Sequence, residues 1–352
     1  MFLFENWYVA AFSHDLAVQQ PMARRICNRP VVLFRTASGR CTALEDRCSH
    51  RAMPLSVNGR CFGETIRCGY HGFEFDADGT CVRIPSQAQI PERAGIRRYP
   101  LVERDGLLWI WMGRAEAADE GKIPAHPHHV DPRFKWGSFT AEFQAGWQLI
   151  LDNLCDMTHI SFVHEAIKGD TESHLNADIR IQPCGRDGVK IIRSLPNCSV
   201  PPYYAQFNRL ADKIDRWTDY VVTPNAVRFW TGAADAGTGA FDGRREHGIN
   251  MHSFHGVTPI TETSSYYFFS IGGDFWQNDE TVTDKLLEGA QAAIVGEDRP
   301  VIEAQQRRIL DDPARPFIDV RTDAAGVQFR RILERLAAEE RRVELAATAN
   351  AG

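Results

Sequence analysis

The chain has 352 residues, 43% of them hydrophobic and 10% aromatic, which supplies a large core and excludes intrinsic disorder. Its formal net charge of −6 argues against a nucleic-acid or anionic-membrane binder, since those concentrate positive charge. A chain of this length predicts two domains, or one large domain with insertions.

The N-terminus, MFLFENWYVAAFSHDLA, is apolar but carries Glu5 and no basic start. It reads neither as a signal peptide nor as a membrane span, so a cytoplasmic location is expected. In that reducing compartment the nine cysteines are metal ligands or small buried hydrophobes, not a disulfide framework. Residues 28–113 read as short strands and turns. Ser38-Gly39, Asp78-Gly79 and Asp105-Gly106 each turn a hairpin between alternating apolar residues. Residues 1–115 are therefore expected to form a small all-β domain. The stretch AEAADEGKIPAHPHHVDPR is a connector by its Pro, Gly and Ala content, and the linker is placed at 116–135. His126, His128 and His129 within it read as exposed linker residues, with a metal cluster as the alternative.

Residues 136–352 form the second expected domain. WQLILDNLCDMTHISFVHEA (147–166) predicts a helix, and strand-like runs return over 178–275, among them VKIIRSL, DYVVT and SSYYFFSI. Residues 279–312 predict a helix with a kink near Gly296, because Pro300 lacks an N–H and clashes one turn back. A last helix over 324–344 ends in AATANAG, a tail expected to fray.

Two constellations carry chemistry. The first is C-x-H at Cys48 and His50, then seventeen residues, then C-x2-H at Cys68 and His71. Structural zinc more often takes Cys-x2–4-Cys with a paired His-x3–5-His or more cysteines. One Cys and one His on each arm suits a two-iron cluster whose irons differ in ligation, with two cysteines on one and two histidines on the other. Pro54 would stiffen the first arm, and Gly69 and Gly72 would allow close backbone approach on the second. Cys61 stands outside both arms and reads as a small packed residue.

The second constellation lies in NLCDMTHISFVH. Asn153, Asp156 and His159 follow at i+3, so neighbours share a helix face. His164 is five residues past His159, roughly 140° away on an ideal helix. Both can bind one ion only if the helix is distorted or ends between them. Two histidines and a carboxylate make the facial triad of non-haem Fe(II) oxygenases, with open positions for O2. Asp298, just before Pro300, is the chosen carboxylate, and spacing alone leaves Glu297 as a rival. Asp156 can orient the His159 ring as an outer partner.

Together these motifs resemble the Rieske non-haem iron oxygenases over nearly the whole chain, from NWYVAA to EDRPVIEAQQ. Within that family the likeness is to the oxygenase components of vanillate O-demethylase, toluenesulfonate methyl-monooxygenase and dicamba monooxygenase. The resemblance implies an α+β fold, with an N-terminal all-β Rieske domain and a helix-grip catalytic domain whose curved antiparallel sheet holds a long helix. It implies one 2Fe–2S cluster on Cys48, His50, Cys68 and His71, and one mononuclear Fe(II) on His159, His164 and Asp298, in preference to Glu297. It implies that Asp156 bridges to His71 of a neighbouring chain in a homotrimer, and that Asn153 is a polar neighbour of the iron. His255 matches a substrate-contacting histidine, Trp230 stands where the dicamba enzyme has an asparagine, and Gly289 falls near its pocket tryptophan. Arg228 either supplies positive charge to an acidic substrate or points outward from a strand.

The implied function is oxidation of a methyl or methoxy group on a small aromatic acid. O-demethylation of a vanillate-like methoxybenzoate would release formaldehyde, and the alternative is methyl hydroxylation of an aryl sulfonate or carboxylate. GTGAFDG (237–243) lacks the third glycine and the strand-to-helix context of a dinucleotide fingerprint, so electrons are expected from a separate NAD(P)H-dependent reductase. A cluster-only electron carrier or sensor is the rival from another class. It would need neither the His159, His164, Asp298 set nor the second domain.

Overall fold

The computed structural model describes residues 1–207, 209–273 and 281–351, with side chains to residue 346. The chain divides into two compact units, Met1–Ala125 with Thr258–Glu262, and His126–Val257 with Thr263–Gly352. The division falls inside the stretch expected to be an open linker. That stretch is folded instead, with single 3-10 turns at Ala115–Ala117, Glu120–Lys122 and Pro127–His129. Trp7 Nε1 donates to the Asp119 carbonyl at 2.8 Å, which ties down the start of the second of these turns.

The first unit is all-β, as expected. Its strands are β1 (Trp7–Phe12), β2 (Met22–Ile26), β3 (Arg29–Arg35), β4 (Cys41–Glu45), β5 (Arg60–Phe62), β6 (Thr65–Arg67), β7 (Glu74–Asp76), β8 (Cys81–Arg83), β9 (Arg98–Tyr99), β10 (Leu101–Arg104) and β11 (Leu107–Trp111). They form three antiparallel sheets, β1-β11-β10, β2-β3-β4-β9 and β5-β6-β7-β8. All three expected turns are present. Asp105 and Gly106 both take positive φ, 53° and 76°, the geometry of a tight hairpin turn. A core of Phe34, Leu44, Leu55, Ile66 and Phe75 packs around Cys48, Cys68 and Cys61.

The second unit is built on seven antiparallel strands: β12 (Lys135–Phe143), β13 (Asp178–Cys184), β14 (Gly188–Ser199), β15 (Lys213–Val222), β16 (Val227–Asp235), β17 (Ile249–Thr261) and β18 (Ser264–Gly273). The order β12-β18-β17-β16-β15-β14-β13 is a meander closed by β12 on its last edge. The strands read from 178 onward are all here, and β12 is an addition to that reading. Residues 274–280, which include the end of the expected strand region and the start of the expected helix, lie outside the described residues.

Eight helices are described: α1 (Trp147–Cys155), α2 (Ile160–Val163), α3 (Glu165–Lys168), α4 (Thr171–Leu175), α5 (Pro202–Ala205), α6 (Thr281–Gln291), α7 (Arg299–Asp311) and α8 (Ala324–Ala351). The helix expected over 147–166 is thus three pieces. The kink expected near Gly296 is a π-helical turn, Ala292–Asp298, joining α6 to α7. In a π turn bonding runs one residue longer, as in Arg299 N–H to Ile294 O. The Gly296 carbonyl, which residue 300 would serve in an α-helix, is therefore not left waiting on a proline. The last helix continues to Ala351, through most of the tail expected to fray. Two side chains of α7 hold the start of α1: Gln306 Oε1 accepts from Gly146 N at 2.8 Å, and Glu303 Oε1 from Gln144 N at 2.9 Å.

The sheet needs a glycine at residue 232 of β16. A Cβ there would lie 2.2 Å from the fully buried Trp217 ring and 2.2 Å from the Ile249 carbonyl. Gly232→Ala is expected to destabilise the protein by about 1–3 kcal/mol through overpacking. The midpoint of urea unfolding checks it, and an unshifted midpoint would contradict this account.

Candidate functional site

The two Cys/His arms are built alike. In the first, Cys48 N donates to Met53 O at 2.8 Å and Ala52 N to Cys48 O at 3.0 Å. In the second, Cys68 N donates to Phe73 O at 2.8 Å and Gly72 N to Cys68 O at 3.1 Å. Each turn has its fifth residue in the left-handed region, Ala52 at φ 58° and Gly72 at φ 75°. The arms approach closely at Gly69, where a Cβ would sit 2.3 Å from the Asn58 carbonyl oxygen. Asp46 fixes the first arm from beneath by accepting from Ser56 N at 2.8 Å and from its hydroxyl.

This puts the cysteines together and the histidines together. Cys48 and Cys68 are buried, each 2% exposed, and their thiols interact. Burial pushes the Cys48 thiol up to about 11. The His50 and His71 rings meet edge-on at the surface, centroids 4.5 Å apart. Two thiols on one side and two imidazoles on the other match the donor set of a cluster with one cysteine-bound and one histidine-bound iron. Cys61 packs in the core beside them as a small hydrophobe.

In the second unit, α1 ends at Cys155, and Asp156 is extended at φ −116° and ψ 106°. The Asp156 backbone carbonyl accepts from His159 Nδ1 at 2.6 Å. Its carboxylate accepts from Thr158 N and Thr158 Oγ1, each at 2.8 Å. The expectation that this side chain orients the His159 ring is corrected: the main chain does so, because the helix break frees the carbonyl. His164 Nδ1 bonds Glu297 Oε2 at 2.7 Å. Both rings therefore turn Nε2 inward, to 3.6 Å and 3.1 Å from Asp298 Oδ1 for His159 and His164 respectively. The donor atoms of His159, His164 and Asp298 all lie within 4.8 Å of one another.

The fit to a metal ion is direct. Asp298 Oδ1 is buried with no hydrogen-bond partner, which is costly unless a cation completes it. Burial lowers the pKa of His159, favouring the neutral ring that a metal binds. At His164 burial also acts downward but is outweighed by the Asp298 and Glu297 carboxylates, which raise it. Glu297, the rival ligand, reaches the outer nitrogen of His164 instead.

A cavity of about 160 Å³ opens on this triad. Its wall includes Asn153, Ile160, Tyr203, Phe229, Met251 and His255. His255 is buried and pushed down to about 3 by burial, so it is neutral. Its Nδ1 pairs with the Tyr267 hydroxyl at 2.6 Å and its Nε2 with Ser253 Oγ at 3.0 Å. Gly289 leaves room for the Tyr203 ring, since a Cβ there would meet Tyr203 Cε2 at 2.7 Å.

Trp230 and Arg228 do not line the cavity. Successive strand residues face opposite sides, and Phe229 and Thr231 take the cavity side of β16. Trp230 lies on the reverse face, donating from Nε1 to Asn250 Oδ1 at 2.9 Å and stacking on His252. The expectation of substrate contact at Trp230 is thus corrected by one step of strand register, and of the two readings of Arg228 the one that faces it away from the cavity holds. The reverse face also gathers His128 over His252, with ring centroids 3.9 Å apart. His126 and His129 sit 4.1 Å apart, also by ring centroids. His126 is 3% exposed, so the exposed-linker reading fails there. Among the described residues only His159, His164 and Asp298 bring three ligand atoms close enough to hold a single ion, so the metal alternative at His126, His128 and His129 finds no support.

Residues 143–339 match the family model for the vanillate O-demethylase oxygenase C-terminal domain, and residues 6–100 the Rieske [2Fe-2S] domain. The chain belongs to the Rieske non-haem iron oxygenases. The oxygenase is 40% identical, over 96% of its length and 97% of the relative's, to a putative toluene-4-sulfonate monooxygenase system iron–sulfur subunit of Comamonas testosteroni. It is 35% identical to a vanillate O-demethylase oxygenase subunit of a Pseudomonas species, over 91% of its own length and 97% of that subunit. The structure of dicamba monooxygenase bound to dicamba superposes with a TM-score of 0.88 at 31% identity, covering 97% of this chain and 99% of that one. The α+β fold and the pair of cofactors expected from sequence, a 2Fe–2S cluster and a mononuclear iron, are those of this family.

Two substitutions separate the inner from the outer carboxylate. Asp298→Ala is expected to lose the mononuclear iron and keep the cluster. Glu297→Gln should keep the iron with affinity reduced about 10- to 100-fold. Iron per chain, counted with and without chelator, checks both. Full mononuclear occupancy in Asp298→Ala would refute the ligand set.

Proposed function

We propose that the oxygenase oxidises a methyl or methoxy substituent on a small aromatic acid, with His159, His164 and Asp298 holding the iron. The observation that carries this reading is the inward convergence of two Nε2 atoms and an unpartnered carboxylate oxygen on an apolar cavity. Iron held there would supply O2 activation and C–H oxidation, and a cluster held by Cys48, His50, Cys68 and His71 would supply single electrons. The Asp156 carbonyl and the Glu297 carboxylate hold the two rings from outside, fixing which nitrogen faces inward. Ile160, Phe229 and Met251 offer an aromatic ring an apolar surface, and Asn153 gives a polar group beside the triad.

Asp156 is the proposed bridge to His71 of the partner subunit in a homotrimer. Its carboxylate is fixed by Thr158 and remains partly exposed, and His71 is exposed. Electrons come from a separate NAD(P)H-dependent reductase. Removal of a methoxy methyl would pass through a hemiacetal and release formaldehyde, leaving a phenol. Hydroxylation of an aryl methyl is the second reading, favoured by the 40% and 37% identities to toluene-4-sulfonate monooxygenase iron–sulfur subunits.

A screen of methoxybenzoates and toluenesulfonate with a surrogate reductase tests this function. Formaldehyde indicates demethylation and a benzylic alcohol indicates methyl hydroxylation, while neither product from any member would reject the reading. Asp156→Ala keeps the carbonyl that holds His159, so both metal sites should stay filled while turnover falls about 100-fold. Unchanged turnover in that variant would remove Asp156 from the electron route.

A further inference from the structure

We infer that Arg216 is the anion-binding residue of the cavity, receiving the carboxylate or sulfonate of an aromatic substrate, with Arg193 and His174 as its buried support. The inference rests on the reading of this cavity as the substrate site. Arg216 stands on β15, is 5% exposed, and lines the cavity together with Thr218 on the same strand face. Its Nη1 donates to the Ile167 carbonyl and to His174 Nε2, both at 2.9 Å. Its Nε is buried and has no partner.

Behind it, Arg193 is 1% exposed, with its Nη1 on His174 Nδ1 at 3.0 Å, its Nη2 on the His174 carbonyl, and its own Nε without a partner. Two guanidinium groups thus flank one imidazole. Burial and the two positive charges push His174 down to about 2, so the ring is neutral. A neutral imidazole has one acceptor nitrogen, and it satisfies one of the two arginines but not both. Among the described residues neither arginine has a carboxylate within 4.0 Å. The charge of Asp156 reaches Arg193 from a distance, but among the described residues no carboxylate pairs with Arg216; a buried charge so incompletely compensated is unfavourable, and Arg216 opens on the cavity. An anionic head group there would supply the missing charge and the acceptor for the Arg216 Nε–H.

The placement also sets an orientation. Tyr267, whose hydroxyl feels the charge of Asp298, is on β18. Arg216 is three strands away in the order β18-β17-β16-β15, roughly 14 Å at ordinary strand spacing. A ring carrying its acid at one end and its methyl or methoxy group at the other fits between Arg216 and the triad.

The test is ligand binding to the holoenzyme, read by calorimetry. The anions are 4-toluenesulfonate, 4-methoxybenzoate and benzenesulfonate; the neutral counterparts are 4-methoxytoluene and methyl 4-methoxybenzoate. Wild type should bind the anions about 10- to 100-fold more tightly than the neutral rings, the worth of a hydrogen bond to a charged group. Arg216→Gln should remove that preference and leave neutral-ring affinity within about twofold, and Arg216→Lys should restore most of it. For any oxidised acid, Arg216→Gln should raise KM far more than it lowers kcat. Benzenesulfonate has no oxidisable substituent, so its Arg216-dependent binding reports the anion site even if no methyl or methoxy group is oxidised. A wild-type enzyme that binds both sets equally overturns the inference, whether or not Arg216→Gln folds, and so does a preference that survives in Arg216→Gln.

Discussion

The hydrogen bond from His159 Nδ1 to the Asp156 carbonyl organises the catalytic unit. Inside a continuous α-helix that carbonyl would accept from residue 160. Here Ile160 N–H goes to Met157 and Thr158 instead, and Asp156 is extended, so the carbonyl is free for the imidazole. Three results follow from one broken turn. The His159 ring is held with Nε2 inward, His164 is brought to the same point despite its five-residue spacing, and the Asp156 carboxylate is left available for Thr158 and for whatever approaches from outside.

A second irregularity answers the first. The π turn at Ala292–Asp298 carries Glu297 and Asp298 as neighbours with different tasks, one behind His164 and one in front of it. Adjacent residues on a helical turn point in different directions, so consecutive carboxylates can grip the back and the front of one ring. The helix after the turn then returns to α1, where Gln306 and Glu303 hold the backbone N–H groups that precede it. The two elements that bear the triad are thereby fastened to each other away from the cavity.

The Cys/His arms and the hairpins of the first unit were legible because turn chemistry is local: C-x-H, C-x2-H and Asp-Gly act within a few residues. The triad was legible as well, although the roles of Asp156 and Glu297 around it were not. Those depend on which backbone groups a helix break releases, and spacing does not carry that. The cavity wall was read least well. Trp230 failed as a substrate contact, and Arg228 could not be assigned a face, because strand side chains alternate and a slip of one residue moves the whole set to the other face. The positive charge sought at Arg228 stands instead at Arg216, a strand away. Its only sequence signal is its alternation with Thr218 in KIDRWTDYVV, which cannot be assigned a face without the sheet. His126 looked exposed because its neighbours are polar, yet it is buried among aromatic rings that come from residues 136 and 254.

The unpartnered groups of the cavity belong together. Asp298 Oδ1 lacks a hydrogen-bond donor and Arg216 Nε lacks an acceptor, in the same cavity wall and with opposite sign. In a protein selected for stability alone the two would pair, since each is expensive as it stands. They are kept apart by being fixed from behind: Asp298 by the π turn, and Arg216 by Ile167, His174 and the rigid register of β15. A pairing of the two would close the cavity and consume both of its functional ends at once. Their separation means that the folded chain carries one half of two different bonds, and each is completed only by a ligand of the matching charge, a cation at Asp298 and an anion at Arg216. Local rules of polar satisfaction are broken where binding is to occur.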